Sequence, residues 1–213
     1  EEMMRSINYY CNVLPELDVT FRLGQEFSEK DYASFDEVIV ATGATNAIIP
    51  VPGKDLPTVV SAWDVLAKKE IVFGKVSVIG GGLFGVETAE YLASRGCKVT
   101  IVEMMDQIAK EESNTVLPTL MKELNSHEVE VLTSAKLMEI TENAVIVEKT
   151  VDEKTEKAEV ASDFVVMAVG AKKNVAELNN CTLPIHYVGD CAGERPSNID
   201  HAIKSAYDVA CEL

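Results

Sequence analysis

Basic residues are scarce in this 213-residue chain: 19 Lys and Arg stand against 35 Asp and Glu, for a formal net charge of −16. That deficit argues against nucleic acid and anionic membrane surfaces as partners, because both select basic patches. It also means that a phosphate-bearing ligand has to be held locally, by backbone. Long apolar runs are missing too: none approaches the ~18 residues needed to span a membrane, and no signal peptide opens the chain. The expectation is a soluble globular chain of the cytoplasm with no membrane partner. Cysteine is sparse and unpatterned. Cys11, Cys97, Cys181, Cys191 and Cys211 are odd in number and include no C-x-x-C pair, so they supply no disulfide framework, redox dithiol or zinc knuckle. His127 and His186 show no partner spacing, and there is no internal repeat or low-complexity segment. What is present is 47% hydrophobic composition, ample for the packed core of one or two domains.

That composition is organised around residues 75–103, KVSVIGGGLFGVETAEYLASRGCKVTIVE. Val76, Val78 and Ile79 predict a short apolar strand running into Gly80, Gly81, Gly82, Leu83, Phe84 and Gly85, with Gly80, Gly82 and Gly85 at the fixed positions of G-x-G-x-x-G. In that spacing the first glycine turns the chain off the strand and the second lets backbone approach a pyrophosphate. The third lets the following helix pack closely on the sheet. A helix is predicted over 83–94, with Val86, Ala89, Leu92 and Ala93 at helical spacing and Gly96 as its C-cap. Its free N–H groups and partial positive charge make an anion site without any basic side chain. A strand over 98–102 follows, closed by Glu103, 18 residues after Gly85. An acid there accepts hydrogen bonds from an adenosine ribose and repels a 2′-phosphate. Met104, Met105 and Asp106 supply no Arg, so the reading is NADH over NADPH. Glu87, one turn into the helix, reads either as a group near the nicotinamide end or as a solvated or interlobe acid.

Residues 1–17 open directly in a helical pattern of Met3, Met4, Ile7, Tyr10 and Cys11, as if in mid-domain, and Val19, Phe21 and Leu23 alternate as a short strand. Buried strands over 35–40 and 164–169 end in the small-residue turns Ala41, Thr42, Gly43, Ala44 and Gly170, Ala171. Each reads as a place where backbone lies against a flat or phosphate-bearing ligand, or as a simple strand-to-loop glycine. Pro50, Pro52 and Pro57 break the stretch 45–73, a linker between lobes in which Ser61 caps a short helix with Asp64 at the capping-box position. Residues 116–124 predict an amphipathic helix with Pro118 in its first turn. Strands over 129–140, 144–148 and 158–160, separated by 141–143 and by the charged run 152–157, predict an antiparallel meander with solvated hairpin tips.

In the last stretch, 185–213, a strand over 186–188 ends in Gly189 and Asp190, and a helix begins near Asp200 and His201 with Ala202, Ile203, Ala206, Val209 and Ala210 as its apolar face. An Asp at a strand end, followed by a helix N-terminus, can hold a polyhydroxyl chain and set a positive dipole near an electron-rich ring. Gly-Asp is also a common turn. His201 reads either as a proton donor or as a surface cap.

Taken in order, ATGA at 41–44, SAWDVL at 61–66, GGGLFGVETAEYLA at 80–93, AVGA at 168–171 and YVGD at 187–190 resemble the two-dinucleotide fold of the flavoprotein disulfide reductases. More narrowly, the chain resembles the C-terminal flavin and pyridine-nucleotide region of the dienoyl-CoA reductase and enoate reductase branch of the old yellow enzyme family. The resemblance implies an α/β fold in which a Rossmann-like NAD-binding lobe, 71–165, carrying the antiparallel β-meander, is nested in an incomplete FAD-binding lobe made from 1–70 and 166–213. It implies that Gly43 and Gly170 mark the crossings between lobes. It further implies that Asp190 binds the ribityl chain or pyrophosphate of FAD and that the helix beginning near Ala202 points at the flavin ring. In that branch hydride passes from NADH to FAD, and electrons continue through an iron–sulfur cluster to FMN in a TIM barrel, where an activated double bond is reduced.

The family's first glycine fingerprint, its barrel and its cluster cysteines would precede residue 1. The expectation is therefore a fragment of an NADH-dependent flavin oxidoreductase, inactive in isolation, whose partner besides NADH is the missing N-terminal part of the same polypeptide. It needs no catalytic acid or base of its own, because the cofactors carry the chemistry. A different class remains open, a pyridine-nucleotide-binding regulatory or assembly module without redox turnover. A third reading, FAD or S-adenosylmethionine on Gly80 to Gly85, is opposed by the motif's place in mid-chain between two ATG-like strands.

Overall fold

The computed structural model describes residues 2–110, 117–151, 154–194 and 196–213, apart from the side chains of residues 2, 3, 151 and 154. In chain order the elements are α1 (Glu2–Glu16), β1 (Val38–Val40), β2 (Ala44–Asn46), β3 (Val59–Ser61), α2 (Ala62–Leu66), β4 (Lys75–Ile79), α3 (Leu83–Ala93), β5 (Lys98–Val102), α4 (Leu117–Ser126) and β6 (Glu130–Leu132). They continue with β7 (Ala135–Ile140), β8 (Ala144–Val151), β9 (Lys154–Ala161), β10 (Phe164–Met167), β11 (Ala171–Lys173), β12 (Ile185–Tyr187) and α5 (Ile199–Glu212).

The chain divides into two compact units, 1–39 with 176–186, and 40–175 with 187–213. In the first, α1 is followed by a 3-10 turn at Glu29–Ser34. Phe27 packs its ring on Tyr32 and Phe35, and the Tyr32 hydroxyl donates to the Asn179 carbonyl at 3.1 Å. His186 Nε2 and Glu37 Oε2 lie 2.6 Å apart.

The second unit is built on a five-stranded sheet, ordered β3-β10-β4-β5-β6, in which every neighbouring pair is parallel. Parallel strands are buried on both faces and so read as nearly continuous apolar runs, which is how β4, β5 and β10 appear. Their alternating residues feed two cores. Val76, Val78, Val99, Ile101 and Val166 meet Val86, Ala89 and Leu92 of α3 and Leu124 of α4 on one side. On the other, Ile79, Val102, Val165 and Met167 meet Leu137, Ile140, Val145 and Val147 of the antiparallel sheet β7-β8-β9. The layers are thus helix, parallel sheet and meander, an α/β arrangement as the sequence predicts. Against the second core, the Ser77 and Ser162 hydroxyls satisfy each other at 2.5 Å.

Four sequence expectations are corrected. Val19, Phe21 and Leu23 form no strand; they are exposed, and alternation without a partner edge makes no ladder. The predicted strand 129–140 is two: β6 joins the parallel sheet, and Ser134, at φ 50, turns the chain away so that β7 begins the meander. The charged run lies largely in a strand. Asp152 and Glu153 fall outside the described residues, but Lys154–Ala161 is β9, where Glu156 stands opposite Lys149 and Lys157 opposite Glu148. Opposite charges paired across a ladder stabilise it. On α5 the half-buried positions are His201, Ala202, Ser205 and Val209, whereas Ile203, Ala206 and Ala210 are exposed. Of the predicted helix 116–124, Val116 lies outside the described residues, and Pro118 sits in the first turn of α4. Ser61 does cap α2, accepting the Trp63 N–H at 3.0 Å, while Asp64 pairs with Lys69.

Candidate functional site

The order of the parallel sheet sets where a ligand can sit. From β4 the chain goes by way of α3 to β5 on one side, while β10 lies on the other. Between strands that leave in opposite directions a crevice opens at the carboxyl ends, the usual binding place in open α/β sheets. Gly80, Gly81 and Gly82 occupy that point, immediately after β4. Gly80 has φ +105, and a Cβ on it would meet the Ala168 carbonyl oxygen at 2.5 Å, where β10 ends. A Cβ on Gly85 would fall 2.0 Å from the Gly80 oxygen, so α3 lies directly on the turn. Gly82, the N-cap of α3, differs: a Cβ there meets nothing within 4 Å. Two of the fixed glycines are therefore required by protein packing, and the middle one faces open space.

Helix geometry leaves the N–H groups of Gly82, Leu83, Phe84 and Gly85 without an acceptor inside α3, since the first intrahelical bond is from Val86 to the Gly82 carbonyl at 3.0 Å. Glu103 follows β5 directly and comes to the same place. It is 9% exposed; Oε2 accepts the Gly81 N–H at 2.6 Å and Oε1 accepts the Met105 N–H at 2.7 Å. Two residues escaped the sequence reading. Ala109 donates its N–H to the Gly81 carbonyl at 2.6 Å, and the Ile108 Cγ2 methyl lies 2.6 Å from a Cβ built on Gly81. No motif marks them; only the apolar pair Ile108-Ala109 between Asp106-Gln107 and Lys110 could have drawn attention.

A second group of expected residues lies in the same unit. Gly43 and Gly170 flank the two-stranded antiparallel pair β2-β11 and both face open space. The Gly43 carbonyl accepts from Asn174 N–H at 2.9 Å, and the Gly170 carbonyl from Ala47 N–H at 3.0 Å. Asp190 Oδ1 accepts the Ser197 N–H at 2.9 Å. Ala202 lies 3.7 Å from a Cβ built on Gly189, and the Gly189 N–H donates to Ser205 Oγ at 2.8 Å. Asn198, not His201, caps α5, accepting the His201 N–H at 3.0 Å. The side-chain atoms Thr45 Oγ1, Asn46 Oδ1 and His201 Nδ1 are shielded from solvent without a hydrogen-bond partner among the described residues. Such atoms are uncommon in folded proteins and suit a polar ligand or water. Among the described residues no His, Cys, Asp and Glu cluster is placed to hold a metal ion, and no helix is long and apolar enough to cross a membrane.

The sequence profile described as pyridine nucleotide-disulphide oxidoreductase matches residues 12–189. The chain belongs to that family. A bilirubin reductase of Mediterraneibacter gnavus is 43% identical over 98% of this chain and 33% of its own length. A cinnamate reductase of Clostridium sporogenes is 31% identical over 96% of this chain and 31% of its own. The chain thus spans about a third of the curated relatives it matches. Among solved structures, a 2-naphthoyl-CoA reductase in complex with 2-naphthoyl-CoA superposes with a TM-score of 0.86 at 24% identity, covering 98% of this chain and 32% of that one. That likeness concerns the fold. Within the family, then, this chain is an oxidoreductase-related module, and its glycine turn follows the central strand of a parallel sheet.

Proposed function

We propose that the chain is the NADH-binding module of a flavoprotein oxidoreductase in which hydride passes from NADH to FAD, within a larger enzyme of the enoate or dienoyl-CoA reductase kind. The observation that carries this is the open side of Gly82 at the carboxyl ends of β4 and β10, beside unpaired helix N–H groups and the Glu103 carboxylate. The residues present fit NADH: Gly82, Leu83 and Phe84 offer N–H groups to the pyrophosphate, and Glu103 faces the adenosine ribose. Bound, the two dinucleotides supply the hydride chemistry, a two-electron transfer that leaves NAD⁺; the chain supplies position.

In this reading residues 71–165 are the NAD lobe, inserted in an FAD lobe of 1–70 and 166–213. Gly43 and Gly170 stand at the crossings, Asp190 holds the ribityl chain or pyrophosphate of FAD, and the start of α5 at Ala202 faces the flavin. The shielded, unpartnered atoms of Thr45, Asn46 and His201 in the FAD half support a polar ligand there. FMN and an iron–sulfur cluster belong to the rest of the polypeptide, an enzyme of the cytoplasm, and the chain alone turns over no NADH. The reductases it resembles, at about three times its length, support that arrangement.

The test is titration with NADH and, separately, NADPH, following quenching of Trp63 with calorimetry as a check. Saturable NADH binding with much weaker NADPH binding is expected. Binding of neither nucleotide overturns the reading, and NADH oxidation by the chain alone with an artificial acceptor overturns its inactivity.

A further inference from the structure

We infer that Glu103 is a positioning residue as well as a ribose acceptor: with Ile108 and Ala109 it clamps the peptides on either side of Gly81 and so sets the shape of the pyrophosphate-binding loop. The inference rests on the dinucleotide reading above.

It follows from peptide geometry. In a planar trans peptide the C=O and N–H point in opposite directions, so fixing one aims the other. Glu103 Oε2 takes the Gly81 N–H at 2.6 Å. That bond fixes the Gly80–Gly81 peptide and turns the Gly80 carbonyl to the far side, where its oxygen lies against Gly85, 2.0 Å from any Cβ placed there. Ala109 N–H takes the Gly81 carbonyl at 2.6 Å, which fixes the next peptide and turns the Gly82 N–H away from Ala109, toward the anion-binding end of α3. Each peptide of the turn is thus aimed by one hydrogen bond from the segment after β5.

The clamp is itself held. Met105 N–H secures the other oxygen of Glu103 at 2.7 Å, and the Met105 carbonyl accepts from Ser134 N–H at 2.7 Å, tying the segment to the start of the meander. Ile108 and Ala109 are 4% and 3% exposed. Ala109 has φ 47, a left-handed conformation that alanine keeps only where its surroundings impose it. Contact closes the arrangement sterically: a Cβ on Gly81 would lie 2.6 Å from Ile108 Cγ2 and 3.0 Å from Glu103 Cβ. Gly81, at a variable position of the motif, has no room for a side chain here.

A ribose-only role and a positioning role separate on a ligand without ribose hydroxyls. The probe is the NADH analogue whose adenosine ribose is 2′,3′-dideoxy, titrated beside NADH against the unmodified chain, Glu103→Ala and Glu103→Gln. Glu103→Ala is expected to weaken the analogue about tenfold, the scale of a hydrogen bond to a charged group. Glu103→Gln, which keeps one acceptor oxygen, restores part of that loss. Hydrogen exchange at the Gly81 and Ala109 amides speeds up in Glu103→Ala, while that of β4 does not. Equal affinity of the analogue for the unmodified chain and both variants overturns the clamp and leaves the dinucleotide reading standing. Failure of the unmodified chain to bind NADH overturns that reading; unchanged Gly81 and Ala109 exchange then overturns the clamp on its own evidence. Should Glu103→Ala not fold, Glu103→Gln carries both readouts, since its volume is nearly that of Glu.

Discussion

Substituting Gly82 and Gly85 separately by Ala divides ligand contact from packing. At Gly82 the backbone is at φ −65 and ψ 172, open to any residue, and the new methyl meets nothing within 4 Å. Alanine is a poorer N-cap than glycine by up to about 1 kcal/mol, while removing a glycine from the unfolded chain returns about 0.4–1 kcal/mol. The two nearly cancel, so the unfolding temperature of Gly82→Ala should move by no more than about 2 °C. In the proposed reading its methyl nevertheless projects where the pyrophosphate passes. Losing one charge-assisted hydrogen bond to phosphate, about 1.5–3 kcal/mol, weakens NADH and NADPH alike by roughly ten- to a hundredfold. At Gly85 the opposite holds. A methyl 2.0 Å from the Gly80 oxygen and 3.3 Å from the Ala168 Cβ cannot be accommodated without moving backbone. Overpacking of that kind costs about 3 kcal/mol, against about 1 kcal/mol gained in helix propensity. A net 2 kcal/mol lowers the unfolding temperature of a chain this size by about 4–8 °C. Differential scanning calorimetry and nucleotide titration on both variants read the two effects. A folded Gly82→Ala chain with unchanged NADH affinity refutes the phosphate site, and a Gly85→Ala chain with unchanged stability refutes the packing argument.

Ser61→Ala removes the acceptor for the Trp63 N–H and should cost about 1 kcal/mol, a drop of about 2–4 °C in calorimetry, with a change in Trp63 fluorescence as α2 loosens. Thiol labelling of the native chain should divide the cysteines by burial: Cys11 and Cys211 react fast, Cys181 more slowly, and Cys97 and Cys191 only on unfolding. Burial pushes the Cys97 thiol above its ordinary range. The folded chain therefore holds that proton after the unfolded chain has released it, so the associated stability is present below the ordinary thiol pKa and is lost as pH rises through the raised one. Cys97→Ala should flatten this alkaline decline in denaturant unfolding; an unchanged slope would remove Cys97 from the account.

The parts of the site that were legible in the sequence are those in which side-chain pattern and backbone geometry are set locally. The strand β4, the glycine turn and α3 are adjacent in the chain, and apolar alternation followed by glycine and then helical spacing admits one arrangement. The sequence puts Glu103 at the end of β5, where it stands, but does not show its partners. Its bond to Gly81 crosses 22 residues of sequence, and nothing in the composition of the segment after it shows that the Ala109 N–H will be spent on a glycine carbonyl. The left-handed residues Ala109 and Ser134 make the same point. Neither is a glycine or asparagine, so turn chemistry does not announce them; tertiary hydrogen bonds to Gly81 and Met105 impose them. The misread strand 129–140 has this cause, since its alternation continues across Ser134 while the backbone does not. The charged run of β9 was misread for a related reason: its charges look solvated when read along the chain and are complementary only when read across the ladder to β8. In each case the sequence states which residues can line a surface, and it takes the pairing of distant backbone to state which way a peptide points. For a site built from N–H groups rather than side chains, that direction is the chemistry.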